Sequence, residues 1–530
     1  MESDQVGPLL LDGLHLALAD VLAVGRAGRP VALHPEARRQ VEHCRAWVDA
    51  VVEQGDQVVY GLNTGFGSLA GVVVPTDYGE RLMHNLIVSH ACGVGEPLPE
   101  DIVRAAMLIR ANTLARGYSG IRPETLELLL EMLKRGVHPV IPEKGSLGAS
   151  GDLAPLSHMV LVLARDPDRS TVEPSGEAYF QGERMSGAEA MQRAGLERVV
   201  LQAKEGLALN NGTAVSAAIL ALALADAERA LRTSEIALAL TLEAVRGAPD
   251  AFDERVQRLR NHPGQVASAA AVRRLLEGST LVGSTARVQD AYSLRCAPQV
   301  LGAARDAVDY VREIVERELN AVTDNPLIFL DLERPNKAVS GGNFHGQPIA
   351  LAADFLAIAM AEVASIAERR IFRLLTAPLN DGLPAMLVAD SGLNAGLMIP
   401  QYVAAALVSE NKTLAHPDSV DSIPTCEDQE DHVSMSANAA LHARQVVWNV
   451  EQVVAIELLC AVQGADHRLG LEPDARLGAG TAAVRLLVRQ IVPHMGWDRF
   501  LQPDLDAVAN LVRQGEVLRT AEGALGEGLT

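Results

Sequence analysis

Beyond residue 205 the chain almost stops breaking. Long Ala/Leu/Val/Glu/Arg stretches follow one another with few glycines or prolines inside them. Their spacing and stops predict four long helices. The first runs from about Thr213 to Val245, ahead of Gly247 and Pro249. The second runs from about Ala286 to Leu319, ending before Asp324-Asn325-Pro326, where proline forbids continuation. The third spans about Gln347 to Leu375, and the fourth about Ser434 to Val462, with Gly464 as its C-terminal stop. In the fourth, Val447, Val450 and Val454 share one face. A helix of roughly 30 residues is about 45 Å long. The stretch from Ala214 to Ala225 is apolar on every side, so its helix must be buried all round. The expectation is a mainly α fold with a long central helical bundle that buries its flanks against other subunits. No repeat or heptad register is visible, and the Gly-rich end, residues 522–530, is expected to fray.

The first 205 residues differ in texture. Glycine and proline interrupt them often, as at 63–67, 93–99 and 138–142, so short helices should alternate with loops. This divides the chain into an N-terminal lobe, 1–205, and a region of long helices, 206–530. The formal charge of −21, from 46 Lys+Arg against 67 Asp+Glu, repels nucleic acid and anionic membranes alike. The five cysteines are odd in number, widely spaced and without a CxxC pair; a reducing cytoplasm suits them, and neither a disulfide framework nor a metal cluster is expected. The apolar N-terminus lacks a basic n-region and is interrupted by Asp12 and Asp20, so it does not read as a signal peptide. The strongest membrane-spanning candidate, 214–225, is too short to cross a bilayer.

Short polar islands sit between the helices. "VVYGLNTGFG" (58–67) reads as a tight turn after a short strand, or as a backbone-lined pocket with Tyr60 at its mouth. "NNGT" (210–213) is a turn or helix-cap signal carrying Asn211. In "QDAYSLRCAPQ" (289–299), Gln289, Tyr292, Arg295 and Gln299 recur at spacings of three and four. On a helix they would form one stripe, either solvated or walling a pocket where Arg295 grips a carboxylate. "SGGNFHGQP" (340–348) is a Gly-Gly loop with Phe344 just before a helix, and "QEDHVSM" (429–435) sets Glu430 ahead of another. Acids there suit a helix N-terminus. No second histidine follows His432 at metal-ligand spacing, so no metal site is expected. "PEKGSLGASGDLAPLSHM" (142–159) reads as a flexible loop entering a helix, unless Ala149-Ser150-Gly151 at its centre is reactive.

Taken in order, "YGLNTGFG", "NLIVSHACGVGEPL", "GSLGASGDLAPLSHM", "EGLALNNGT", "YSLRCAPQ", "SGGNF" and "QEDHVSM" resemble the histidine/phenylalanine ammonia-lyase family from about residue 10 to at least 470. The resemblance implies that family's aromatic amino acid lyase/fumarase-like architecture: an N-terminal lobe with the prosthetic loop, and a helical bundle forming a homotetramer whose active sites neighbouring subunits complete. It implies that Ala149, Ser150 and Gly151 cyclise with loss of two waters into 4-methylidene-imidazol-5-one (MIO), an electrophile built from the chain, so that no bound cofactor is needed. It implies elimination of ammonia from an α-amino acid, with Tyr60 removing the β-proton. Lowering a tyrosine from about 10 to about 7 needs roughly 4 kcal/mol of phenolate stabilisation. By position, Arg295 resembles the carboxylate clamp, Asn211, Gln289 and Tyr292 the groups that orient amine and ring, and Phe344 the wall beside that ring.

Two positions bear on the substrate. Ser89-His90 resembles histidine lyases, though some tyrosine lyases and aminomutases share it. Glu430 resembles histidine lyases more sharply: a carboxylate orients an imidazole N–H and is poorly placed against a phenyl ring. L-Histidine going to trans-urocanate is the expectation. A tyrosine or phenylalanine lyase or aminomutase, or a helical scaffold without the ring, stays open. The sequence departs from the family at Cys426-Glu427-Asp428, which adds two acids beside the site.

Overall fold

The computed structural model describes residues 7–168, 174–285 and 287–529. Helices make up nearly all of its regular structure, and no strand in the described residues exceeds four residues. The chain divides into two units, each gathered from three stretches. The first is Met1–Leu222, Glu313–Asp354 and Pro417–Leu441; the second is Ala223–Arg312, Phe355–His416 and His442–Thr530.

In the first unit, α1 (Gly79–His90) packs on α3 (Leu153–Leu163) and on the short α4 (Glu205–Asn210). Between them β1 (Val94–Pro97) pairs antiparallel with β2 (Pro142–Lys144). This ladder joins the chain leaving His90 to the chain entering the Ala-Ser-Gly loop. The helix α2 (Glu100–Ala115) follows Pro99, carries two acids in its first turn where the dipole favours them, and is buried at every residue from Ile102 onward. Its Arg110 lies wholly inside, where Nε donates to the Ala208 carbonyl at 3.0 Å and Nη1 to the Thr323 carbonyl at 3.3 Å. Burial pulls its pKa down to about 10 against the opposing Asp324 and Asp152 carboxylates. Those bonds brace the chain just before Asn211.

The four long helices are α5 (Ala214–Ala244), α6 (Ala297–Glu318), α7 (Gln347–Leu375) and α8 (Ser436–Leu471). The first and third match the sequence reading closely, and Ala214 to Leu224 is buried throughout. The second differs. Its expected start, Ala286, lies outside the described residues. Gln289 falls in a bend, a single turn covers Tyr292–Arg295, and Cys296 separates that turn from α6. The four polar residues of 289–299 therefore do not form one helical stripe. Tyr60 likewise sits in a turn that no strand precedes.

The fourth helix corrects the sequence reading more instructively. It runs through Gly464 to Leu471 and stops before Pro473. A Cβ at Gly464 would lie 3.1 Å from Ala244 Cβ and 3.4 Å from Leu374 and Leu383. The glycine thus serves helix-to-helix approach within the second unit and does not end the helix. In the same unit Arg370 and Glu457 form a fully buried two-pronged pair at 2.5 and 2.7 Å, and Thr241 donates to the same carboxylate at 3.1 Å. Removing one partner would strand the other charge, at a cost of about 3–5 kcal/mol. The helices α7 and α8 are long and apolar enough to span a membrane, but 67% and 83% of their most apolar windows are buried inside the protein.

Candidate active site

The loop from Gly145 to Asp152 is anchored from both ends. Downstream, the wholly buried Asp152 accepts the Val215 and Ser216 amides at 2.9 and 2.8 Å through one oxygen, capping the first turn of α5. Its other oxygen takes the Ser216 and Ser146 hydroxyls at 2.6 and 2.8 Å. Burial raises the pKa of this carboxyl and these hydrogen bonds oppose the rise. Upstream, the Gly148 carbonyl accepts the Ser434 hydroxyl and the Gly346 amide, each at 3.0 Å, and Met435 N–H donates to the Leu147 carbonyl at 2.8 Å. Ala149 is buried in a small cluster with Val433 and Met435.

Two glycines make this closeness possible. Gly148 and Gly151 have φ of +67° and +71°, which glycine adopts without penalty. A Cβ on Gly148 would stand 2.2 Å from the Ser434 hydroxyl, and one on Gly151 would stand 2.2 Å from the Gly212 carbonyl oxygen. Asn211 donates Nδ2 to the Ser150 carbonyl at 2.7 Å, while its Oδ1 is buried without a hydrogen-bond partner.

The Ser150 hydroxyl donates to Glu430 Oε1 at 2.7 Å. Glu430 closes a hairpin: Thr425 and Glu430 exchange backbone bonds of 3.1 and 3.3 Å, and the Thr425 hydroxyl donates to Glu430 Oε2 at 2.9 Å. Cys426, Glu427 and Asp428 complete the turn with φ of 53°, 53° and 63°, three consecutive left-handed non-glycine residues. The Cys426 sulfur accepts the Ser68 amide at 3.2 Å, beside the Gly67 amide that donates to the Tyr60 phenol oxygen at 3.2 Å. The departure at Cys426 therefore ties the Glu430 hairpin to the Tyr60 turn, while Glu427 and Asp428 face solvent.

The electrostatics at Tyr60 run against a ready base. Burial pushes its pKa up, the Gly67 N–H opposes this, and Cys426 and Glu430 push the same way as burial. His90 accepts or donates at 3.0 Å with the Ser89 hydroxyl; burial lowers its pKa while the nearby Glu430 opposes that. Phe344, half-buried, lies in the loop that Gly346 fastens to Gly148, and the next residue, His345, stacks on His432 at 5.9 Å between ring centroids.

The first unit thus gathers Tyr60, His90, Ala149, Ser150, Gly151, Asn211, Phe344 and Glu430. Gln289, Tyr292 and Arg295 belong to the second unit. There Tyr292 is 69% exposed, the Arg295 guanidinium lies 4.8 Å over its ring, and Arg295 Nε is buried without a partner. Sequence reasoning missed Asp152, Thr425 and Ser434, which hold the loop and its facing carboxylate. Apart from the Thr425–Glu430 hairpin and the Ser146–Asp152 bond, the partners described here lie tens to hundreds of residues away, so no local pattern marks them.

Residues 16–490 match the aromatic amino acid lyase family. The chain is 53% identical to a histidine ammonia-lyase of Alkaliphilus oremlandii over 98% of this chain and 99% of that one. Among solved structures it is similar to histidine ammonia-lyase from Trypanosoma cruzi, at TM-score 0.89 and 40% identity over 98% of this chain and 95% of that one. It is also similar to tyrosine aminomutase from Streptomyces globisporus, at TM-score 0.90 and 36% identity over 97% and 98%.

Proposed function

The chain belongs to the aromatic amino acid lyase family, and from the site it carries we infer that it eliminates ammonia from L-histidine to give trans-urocanate. The observation that carries the substrate is Glu430, whose carboxylate faces Ser150 and lies within electrostatic reach of His90 and Tyr60. A carboxylate there accepts an imidazole N–H and has nothing to offer a phenyl ring. Identity of 53% to a histidine ammonia-lyase over nearly the whole chain supports the same substrate.

The prosthetic group in this reading is MIO, made from Ala149, Ser150 and Gly151. The tripeptide's surroundings fit it. Gly151, whose amide must reach the Ala149 carbonyl, has a left-handed backbone and no room for a Cβ. Asn211 holds the Ser150 carbonyl and keeps a buried, unpartnered Oδ1 on the same side chain. The formed group supplies an electrophile that makes the amine a better leaving group. The chain's own side chains do the rest. Tyr60 takes the β-proton from substrate. Arg295, with its free Nε, grips the carboxylate as a fork. Gln289 and Tyr292 orient the amine, His90 and Glu430 orient the imidazole, and Phe344 closes the wall. Since burial raises the Tyr60 pKa, its phenolate needs stabilisation by further hydrogen-bond donors or cationic groups.

The same reading carries a small amino acid as partner, no nucleic acid or membrane, a cytoplasmic location, and a homotetramer with shared active sites. In it, residues 1–205 form the lobe with the prosthetic loop and 206–530 the bundle and C-terminal helices. Exposed apolar side chains on the long helices support association: Phe355, Ile358 and Phe372 on α7, with Tyr310 on α6 against Phe355. Light scattering giving a monomer overturns the tetramer. The substrate is tested by incubating the protein with L-histidine, L-tyrosine and L-phenylalanine and following ultraviolet absorbance. Urocanate from histidine is expected. Coumarate, cinnamate or a β-amino acid, with no urocanate, would overturn the assignment.

A further inference from the structure

We propose that Glu430 acts before any substrate is bound, as the acid that expels the Ser150 hydroxyl while the prosthetic group is being made. The inference rests on the reading that the tripeptide is processed. Its basis is what surrounds Ser150 Oγ. Among the described residues the Glu430 carboxylate is the side chain bonded to that oxygen, at 2.7 Å. Asn211 reaches the carbonyl of Ser150 instead. The carboxylate is also held still before any substrate arrives, by the Thr425 hydroxyl at 2.9 Å and by the two backbone bonds of the 425–430 hairpin.

The step is a β-elimination. The Cα–H bond of Ser150 breaks and its electron pair becomes the Cα–Cβ double bond. The Cβ–Oγ bond breaks with its pair on oxygen, and Glu430 delivers a proton to Oγ, so that water leaves where hydroxide would leave poorly. Glu430, whose two oxygens both accept hydroxyls at rest, first takes that proton up from solvent, the Cα proton passes to solvent, and Glu430 ends the step ionised as it began. One water is released and no oxidant is consumed. Once Oγ has gone, Glu430 Oε1 loses its donor and faces the site free to accept another. The hydroxyl in the unprocessed chain thus occupies the acceptor that the substrate ring later needs.

The test follows intact mass with time in cell-free synthesis of the full chain, for the unsubstituted protein, Glu430→Gln and Glu430→Ala. The unsubstituted chain should lose two waters. Both variants should stall heavier by one water or more, with completion slowed by about a hundredfold or more, the span of general acid catalysis. Added acetate should restore the second loss in Glu430→Ala, which a purely structural role would not permit. If Glu430→Gln precipitates, Glu430→Asp, which keeps the acid but withdraws it from Oγ, should complete the loss slowly. Loss of both waters at the unsubstituted rate in either soluble variant overturns the inference and leaves the processing intact. An unsubstituted chain that keeps both waters overturns the processing itself.

Discussion

Gly151 stands at φ +71° with the Gly212 carbonyl oxygen 2.2 Å from where a Cβ would be. A left-handed alanine costs about 1–2 kcal/mol before any clash, and here the obstructing atom is backbone. Gly151→Ala is expected to lower the melting temperature and leave both waters on the chain, seen by calorimetry and intact mass. Ser150→Ala is the contrasting case. Its hydroxyl bonds to a partly exposed carboxylate that water resolvates, so stability should change by less than about 1 kcal/mol. Activity should vanish, because the proposed ring cannot gain its methylidene without that hydroxyl as leaving group. Urocanate formation by Ser150→Ala would refute the electrophile. Cys426 was visible in the sequence only as a departure; the structure gives it a place, accepting Ser68 N–H beside Tyr60. Why three successive residues there adopt left-handed backbone has no local explanation in their identities.

At the scale of elements, caps and crossings decide more than propensity. Asp152 serves α5 from 62 residues upstream of that helix's start, accepting its first free amides. Asp152→Asn replaces one accepting oxygen with a donor facing those amides, and a loss of about 1–3 kcal/mol is expected by chemical denaturation. In α8, Gly464 reads in one dimension as a stop. In three dimensions Ala244, Leu374 and Leu383 crowd the place of its missing side chain. Gly464→Leu should therefore destabilise by about 1–3 kcal/mol through overpacking, although leucine is the better helix former. A raised melting temperature in that variant would return the position to helix termination. The break at Cys296 shows the same limit: a three-and-four spacing is necessary for a helical stripe but does not exclude a loop at one end.

For the molecule as a whole, buried carboxyls shape the response to pH. Burial pushes Glu243 up to about 7 against hydrogen bonds from Gly478 N–H and the Thr481 and Ser279 hydroxyls. Its folded pKa exceeds its unfolded value, so between about 4.5 and 7 the folded state holds more proton than the unfolded one. Its contribution is fully present below the unfolded pKa and is lost as pH rises through about 7. The full span is about 3 kcal/mol. Glu243→Gln should flatten the pH dependence of the melting temperature between pH 5 and 8 and raise it at pH 8. An unchanged slope would show that Glu243 is not the group responsible.

Helix existence was legible because it follows from local pattern: where breakers are absent for 30 residues and every face is apolar, a buried helix is what remains. The Ala-Ser-Gly tripeptide and the polar islands stood out as ordered motifs, and Tyr60, His90, Asn211, Phe344 and Glu430 belong to the same compact unit as Ala149-Ser150-Gly151. Where helices end, what a glycine is for, and which acid caps which amide were not legible, because each depends on atoms far away in the chain. The sequence by itself determined a mainly helical chain, which rests on periodicity and the placing of breakers, and a resemblance to this family, which rests on motifs in a fixed order. Only the tertiary structure decided that Ser150 meets Glu430 across 280 residues, that Asp152 anchors the loop to α5, and that Gly464 lies inside a helix. Hydrogen bonds and close packing act over ångströms of space, and separation along the chain carries no record of them.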